Sequence, residues 1–317
     1  MKKRVIIIGG AGFIGSNLCD YLLDDENEVV CIDNFDDYYD KNIKVANLKY
    51  AKTFEKFILI ENDIRNHEKF INRFSGKYDA IVNLAAKPGV RYSISNKNEC
   101  YENNIYALKS SLELLKKLEI KKYIFSSSST IYGNKSIPFL ESDENLIPLN
   151  PYAEVKLESE QYGKTFAEKN KIDFFSLRFF SVYGQRMRPD LLLYKITKSL
   201  LTNEKIKIFG DGSATRDYTY ITDIVSGIVA ALNTEIECFE IFNLGNNKSI
   251  SLLEIFDIFE NISGKKLNYD FVPAINGESE KTCADINKAK SILGYLPKTD
   301  ILEGIKKYYN WFINVYL

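Results

Sequence analysis

Among its 317 residues the chain has a single histidine, His67. Its five cysteines (Cys19, Cys31, Cys100, Cys238 and Cys283) are scattered, odd in number and never spaced C-x-x-C. No cluster of His, Cys and Asp suggests a metal, and a reduced, cytoplasmic protein is the simple reading. His67 falls in a predicted surface helix far from the motifs below and is expected to be structural. No apolar run is long enough to cross a bilayer. The N-terminus runs directly into an apolar segment, which leaves no room for a signal peptide. There are no repeats and no low-complexity linker. Charge is nearly balanced, with 42 Lys and Arg against 43 Asp and Glu. That balance gives no broad pull toward nucleic acid or a membrane surface.

What is present is globular in composition, with 45% hydrophobic and 27% charged residues. A chain of this length builds a large core and usually divides into two lobes. The first motif is Val5-Ile6-Ile7-Ile8-Gly9-Gly10-Ala11-Gly12-Phe13-Ile14-Gly15. A β-branched run reads as a buried parallel strand, and the residues after Gly15 read as a helix. Gly9 allows a tight turn, Gly12 lets the backbone approach a pyrophosphate, and Gly15 lets helix pack on strand. The diphosphate then sits on N–H groups of the first helical turn, at Phe13, Ile14 and Gly15. A second apolar run ends at Asp33, close to the spacing of an acid that binds a ribose 2′-hydroxyl. Asp33 repels a 2′-phosphate and Asn34 brings no positive charge, so NAD is favoured over NADP.

A second constellation pairs Ser126-Ser127-Ser128-Ser129-Thr130 with Tyr152-Ala153-Glu154-Val155-Lys156. Tyr152 and Lys156 lie one helical turn apart on one face. A free phenol, with a pKa of ~10, is a poor base at neutral pH. A neighbouring ammonium stabilises the phenolate, and the pair can then take a proton from a sugar hydroxyl. The serine cluster supplies hydroxyls for the same oxygen.

Strands are expected near 4–9, 28–33, 57–61, 79–84, 121–127 and 173–178, with helices near 13–25, 43–54, 67–74, 99–118 and 152–169. Such alternation implies an α/β fold, a doubly wound parallel sheet with helices on both faces. After 178 the regularity loosens into short elements near 206–209, 240–243 and 269–272 among helices near 189–202, 222–233, 251–261, 286–293 and 300–315. The reading is a nucleotide-binding domain over 1–178 and a smaller substrate lobe over 179–317, with some segments returning to the first domain. The glycine turn, Asp33, the Asn83–Ala86 stretch and the serine cluster all fall at strand ends, so they converge in one crevice.

The two-residue spacing between successive glycines, the serine cluster and Tyr152/Lys156 together resemble the extended short-chain dehydrogenase/reductase family, over nearly the whole chain. The resemblance implies a Rossmann-type fold and further NAD contacts. Asp63 and Ile64 match positions at the adenine, and Ala85, Ala86 and Lys87 match positions beside the pyrophosphate and ribose. Asn104 matches a family Asn on the next helix. Each has a plainer alternative: Asp63 as a helix cap, Lys87 as a solvated charge, Asn104 as a helix-surface residue. In this family the helices near 99–118 and 152–169 form a homodimer's four-helix bundle. Their apolar stripes (Leu108, Leu112, Leu115; Val155, Tyr162, Phe166) fit either that bundle or a sheet-facing core.

Within the family, dehydratases carry an Asp-Glu pair where this chain has Ser129 and Thr130, so dehydration lacks its acid and base. Phe125 to Gly133 is close to the pattern of UDP-sugar 4-epimerases, with Ser128 at the catalytic serine and Ser129 and Thr130 beside it. Arg216 matches an arginine that grips the substrate diphosphate. Glu278 stands where an Asp accepts hydrogen bonds from the uridine ribose. Asp36-Asp37-Tyr38-Tyr39-Asp40, Ser181 and Arg188-Pro189-Asp190 are similar to UDP-glucuronate 4-epimerases, and Ser181 with Arg188 suits a sugar carboxylate. The resemblance implies a redox round trip at C4: Tyr152 removes the 4-hydroxyl proton, Lys156 lowers the Tyr152 pKa, and tightly bound NAD accepts and returns the hydride. The same clamp would hold a 4-keto acid out of alignment for loss of CO₂. Two alternatives stay open: a 4-epimerase of a neutral UDP-sugar (glucose or N-acetylglucosamine), and a non-catalytic NAD-binding sensor.

Overall fold

The computed structural model describes residues 2–274 and 277–316. Six apolar runs form strands close to where they are expected: β1 (Arg4–Ile8), β2 (Glu28–Asp33), β3 (Phe57–Glu61), β4 (Ala80–Asn83), β5 (Lys122–Ser128) and β6 (Asp173–Phe179). Side chains of a strand alternate between its two faces, and helices cover both faces here, so both must be apolar. Val5, Ile7, Val29, Cys31 and Val82 enter one core. Ile6, Ile8, Val30, Ile32 and Ile81 enter the other. That two-sided burial is why these strands read as unbroken β-branched runs.

The sheet order is β10 (Phe239–Leu244), β6, β5, β4, β1, β2, β3, parallel throughout. Its outer strand β10 comes from the second half of the chain, in register with β6 from Phe239↔Phe174 to Leu244↔Phe179. The remaining strands are short. β7 (Ser181–Tyr183), β9 (Thr215–Tyr220) and β11 (Ser249–Ser251) make a three-stranded sheet, and β8 (Ile206–Phe209) pairs with β12 (Tyr269–Val272).

The chain winds outward from β1 through β2 to β3, then restarts at β4 on the other side of β1. The crevice at this switch point is where open α/β sheets bind ligands. Gly9 and Ala85 face each other across it. Gly9 has φ +78°, and a Cβ there would meet the Ala85 backbone nitrogen at 2.7 Å. Both conformation and space exclude a side chain. Gly9→Ala is expected to destabilise the protein by about 1–3 kcal/mol through backbone strain and to weaken dinucleotide binding. Thermal unfolding with and without NAD reads both effects.

Four helical expectations change in detail. The stretch near 43–54 divides into a helix at Lys41–Asn47 and a 3-10 turn at Ala51–Thr53. The stretch near 67–74 is a 3-10 helix, Ile64–Arg73, kinked at Asn66. The helix near 99–118 carries a π-helical segment, Glu102–Tyr106, between α-helical parts, and the stretch near 286–293 is also π-helical, at Ala289–Leu293. His67 is not at the surface: it is buried, with both ring nitrogens lacking a partner. Burial, the largest cause, pulls its pKa down, so it is held neutral. Leu108, Leu112 and Leu115 are buried against the sheet, so that stripe is core, not a free face.

Asp217 on β9 fastens the C-terminal segments. Its carboxylate accepts from the backbone N–H groups of Ala284 (3.0 Å) and Asn246 (2.7 Å). Burial is the largest influence on it and pushes its pKa up to about 6. The folded state therefore holds this proton more tightly than the unfolded chain, whose Asp titrates at ~3.9. The resulting stability is present below pH ~4 and is lost as pH rises through about 6. Urea midpoints of wild type and Asp217→Asn should thus move relative to each other, wild type losing ground between pH 4 and pH 7.

Candidate active site

One cavity of about 730 Å³ runs over the carboxyl ends of the strands. At one end the helix Phe13–Asp24 begins at Gly12 with no side-chain cap. The first-turn N–H groups of a helix have no intrahelical acceptor, and Phe13, Ile14 and Gly15 line the cavity there. A Cβ at Gly12 would stand 3.2 Å from the Gly9 carbonyl oxygen, filling the cradle. These residues fit a dinucleotide diphosphate. Asp33 lines the same wall. Its Oδ2 accepts from the Ala11 N–H at 3.0 Å and its Oδ1 from the Phe35 N–H at 2.8 Å. Lys44 Nζ lies 3.8 Å from Asp33 Oδ1, a counter-charge the sequence reading missed.

The adenine-side positions divide. Asp63 and Ile64 line the cavity, yet Asp63 also caps the following helix through the Arg65 N–H (2.8 Å) and pairs with the Arg65 guanidinium at 2.6 Å. The capping alternative is therefore realised. Asn34 lines the wall and donates to Asp63 at 3.2 Å. Ala85, Ala86 and Lys87 line the opposite wall. Lys87 is not a free solvated charge: it pairs with Glu99 and, at 3.3 Å, with Asp36. Asn104 is not on the cavity wall. It is buried in the π-helical segment, donating to the Cys100 carbonyl at 2.6 Å and the Lys87 carbonyl at 3.3 Å, and its Oδ1 has no partner.

The proton-handling groups sit where β5 ends and the helix Pro151–Asn170 begins. Asn150 caps that helix by accepting from the Ala153 N–H at 2.9 Å, with Pro151 in the first turn. The cap places Tyr152 at the cavity wall. Ser128 accepts from the Thr130 hydroxyl at 2.9 Å, and Ser129 lines the cavity beside them. Lys156 lies one turn deeper, almost fully buried, and donates to the Ser126 carbonyl at 2.7 Å. The net shift of Tyr152 is upward, against the lowering expected from its Lys156 neighbour. Burial dominates both groups: it pushes Tyr152 up to about 12 and pulls Lys156 down to about 8. Among the influences that lower Tyr152, the Arg188 guanidinium is the largest, followed by a hydrogen bond with Ser128.

Ser181, Arg188, Arg216 and Glu278 also line the cavity. Arg188 forks onto Asp190, Nε to Oδ1 at 3.0 Å and the terminal nitrogen to Oδ2 at 3.1 Å. Arg216 donates to the Glu280 carbonyl at 3.0 Å and lies 3.7 Å from Glu278. Glu278 is also 3.7 Å from Arg91, whose guanidinium stacks 4.0 Å over the Phe209 ring. Arg91 was missed from sequence.

A parallel sheet with a glycine turn at its switch point, and a Ser-Tyr-Lys set where β5 ends and the helix Pro151–Asn170 begins, define a dinucleotide-dependent enzyme of the short-chain dehydrogenase/reductase type. The family model described as the NAD dependent epimerase/dehydratase family matches residues 5–245, and the chain belongs to that family. A UDP-glucuronate 4-epimerase of Thermodesulfobacterium geofontis is 36% identical, over 96% of this chain and 95% of its own length. The crystal structure of UDP-glucuronic acid 4-epimerase from Bacillus cereus, in complex with UDP-glucuronic acid and NAD, is similar with a TM-score of 0.92 and 36% identity, covering 99% of this chain and 100% of that one. UDP-glucose 4-epimerase of Thermotoga maritima, with UDP-glucose, is similar with a TM-score of 0.90 at 29% identity, covering 99% and 100%.

Proposed function

We propose that the chain is an NAD-dependent 4-epimerase of UDP-glucuronate, interconverting it with UDP-galacturonate. One observation carries the choice of sugar: the Arg188 guanidinium lines the same cavity as Tyr152, with one edge held by Asp190 and no acceptor among the described residues on the other. A carboxylate on the sugar satisfies that guanidinium, and a neutral hexose does not.

Bound NAD supplies a hydride acceptor for C4 of the sugar and gives the hydride back. Every other task falls to the chain. The first-turn N–H groups at Phe13–Gly15 take the cofactor diphosphate, and Asp33 takes its ribose. Tyr152, as phenolate, removes the proton from the 4-hydroxyl and later returns it. Ser128 and Thr130 hydrogen-bond the same oxygen, which stabilises charge as it develops. Arg216 and Arg91 hold the UDP diphosphate, so the sugar turns over without leaving. Ser181 and Arg188 hold the C6 carboxylate. The segment 179–317 supplies most of these substrate contacts.

The test is an assay of purified protein without added NAD, on UDP-glucuronate and separately on UDP-glucose, with the C4 epimers resolved by chromatography. Conversion of the glucuronate far faster than a slow, measurable turnover of UDP-glucose is the expected result. Conversion of UDP-glucose alone discards the Ser181/Arg188 clamp, and the neutral-sugar reading has one observation in its favour, since Asp190 already fills one edge of Arg188. No conversion of either, even with NAD supplied, discards the epimerase.

The same reading makes the protein a homodimer, built on the solvent-facing sides of the helices at 97–117 and 151–170, where Tyr106 is 49% exposed. Light scattering should give twice the chain mass. It also places the protein in the cytoplasm, in keeping with five free thiols.

A further inference from the structure

We propose that Asp190 and Tyr38 are positioning residues that aim Arg188 at the sugar carboxylate and thereby set substrate choice. The inference rests on the proposed role of Arg188 as the carboxylate clamp and names what makes that clamp directional.

An arginine side chain is long and loses substantial rotamer freedom when fixed. Its guanidinium grips a carboxylate in bidentate fashion only if its plane is held. Asp190 holds it, through Nε at 3.0 Å and a terminal nitrogen at 3.1 Å. This uses one edge of the planar fork. No acceptor among the described residues meets the other edge, and Arg188 lines the cavity. One edge is clamped and the other is offered.

Asp190 is itself braced. The Tyr38 hydroxyl donates to Asp190 Oδ2 in a long contact of 3.5 Å, and the Tyr38 ring lies 5.9 Å from the Arg188 guanidinium carbon. Tyr38 is fixed in turn. Its N–H donates to Asp36 at 2.9 Å, its ring packs edge-on against Tyr92 at 5.4 Å, and Asp36 is tied to Lys87 at 3.3 Å. The loop that starts at Asp33, on the cofactor side, thus delivers a phenol to the substrate side, 152 residues away in sequence from Asp190. This gives the Asp-Asp-Tyr-Tyr-Asp stretch a task on the substrate side through Tyr38.

The Arg188–Asp190 pair is also nearly neutral as a unit. Recognition of a sugar carboxylate then comes from aimed hydrogen bonds rather than from bare positive charge. Removing the aspartate leaves a stronger net charge but an unaimed fork.

The experiment compares kcat/KM for UDP-glucuronate with kcat/KM for UDP-glucose in wild type, Asp190→Asn and Tyr38→Phe. Asp190→Asn should lower the glucuronate-to-glucose ratio about tenfold, mostly through the KM for glucuronate, as expected for loss of one aimed charge-assisted pair. Tyr38→Phe removes only the brace and should lower it in the same direction by about threefold, a smaller step of the same kind. A ratio that stays within twofold of wild type in Asp190→Asn, or that rises, overturns the proposal and assigns selectivity to charge alone. If wild type itself does not convert UDP-glucuronate, the proposed function has failed and this inference fails with it. Because only wild type reports on the function, the two failures are distinct.

Discussion

Tyr152→Phe is expected to lower kcat about a thousandfold on any substrate the enzyme accepts, within the range that a positioned general base supplies. The substitution removes one hydroxyl and keeps the ring, which packs in a small apolar cluster with Cys100, Ile105 and Val155. Fold, cofactor binding and KM should change little, so the loss falls on the chemical step. The pH dependence of the wild type adds a second check. The Tyr152 phenol is pushed up to about 12 and the Lys156 ammonium is pulled down to about 8, burial being the largest cause for both. At pH 7 the phenol is therefore protonated and Lys156 still carries its charge. As pH rises the phenolate fraction grows, until Lys156, whose Nζ lies 5.7 Å from the Tyr152 ring centre, loses its proton near 8 and one nearby positive charge goes with it. The rate should climb below that pH and bend there. As these sites are coupled, the bend belongs to the pair. Lys156→Met should abolish the bend. A Tyr152→Phe enzyme with a tenth or more of wild-type kcat would show that another group takes the proton.

The parts of the candidate site legible in sequence were those encoded locally. Gly9, Gly12 and Gly15 carry a turn, a close approach and a helix–strand contact within seven residues, and Tyr152 and Lys156 share one helix face. Their geometry needs nothing distant. The first six strands were equally legible, because burial on both faces leaves an uninterrupted apolar run. What sequence hid depends on neighbours far along the chain. β10 looked like a loose short element because its pairing partner lies some 65 residues earlier, Phe239 against Phe174. Lys87 and Asn104 each have a plausible surface role until the fold encloses them. The reversal at Tyr152 has the same origin: helical spacing gives the distance between phenol and amine, but only the packed structure shows how dry the site is. There desolvation outweighs the charge on Lys156.

Arg188→Met is the substitution expected to change what the enzyme accepts. Removing one partner of a close, hydrogen-bonded charge pair costs about 2–5 kcal/mol. At 1.4 kcal/mol per factor of ten, that range spans roughly thirtyfold to several thousandfold. Arg188 keeps 20% of its side chain accessible, so screening argues for the lower part of the range. The glucuronate-to-glucose ratio of kcat/KM should then fall about a hundredfold. Two effects add in that direction for the glucuronate. The grip on the carboxylate is lost, and Asp190, now without its cation, presents a like charge to it. A further effect strikes both sugars equally. Arg188 is the largest of the influences that lower Tyr152, so its loss raises that phenol further and leaves less phenolate at any given pH. That general loss of kcat cancels in the ratio, which is why the ratio rather than either rate is decisive. Asp190→Asn, which spoils the aim but keeps the cation, should fall between wild type and Arg188→Met. If Arg188→Met leaves the ratio at its wild-type value, the carboxylate is held elsewhere, and the four hydroxyls of Ser128, Ser129, Thr130 and Ser181 along the same cavity wall are the next groups to change.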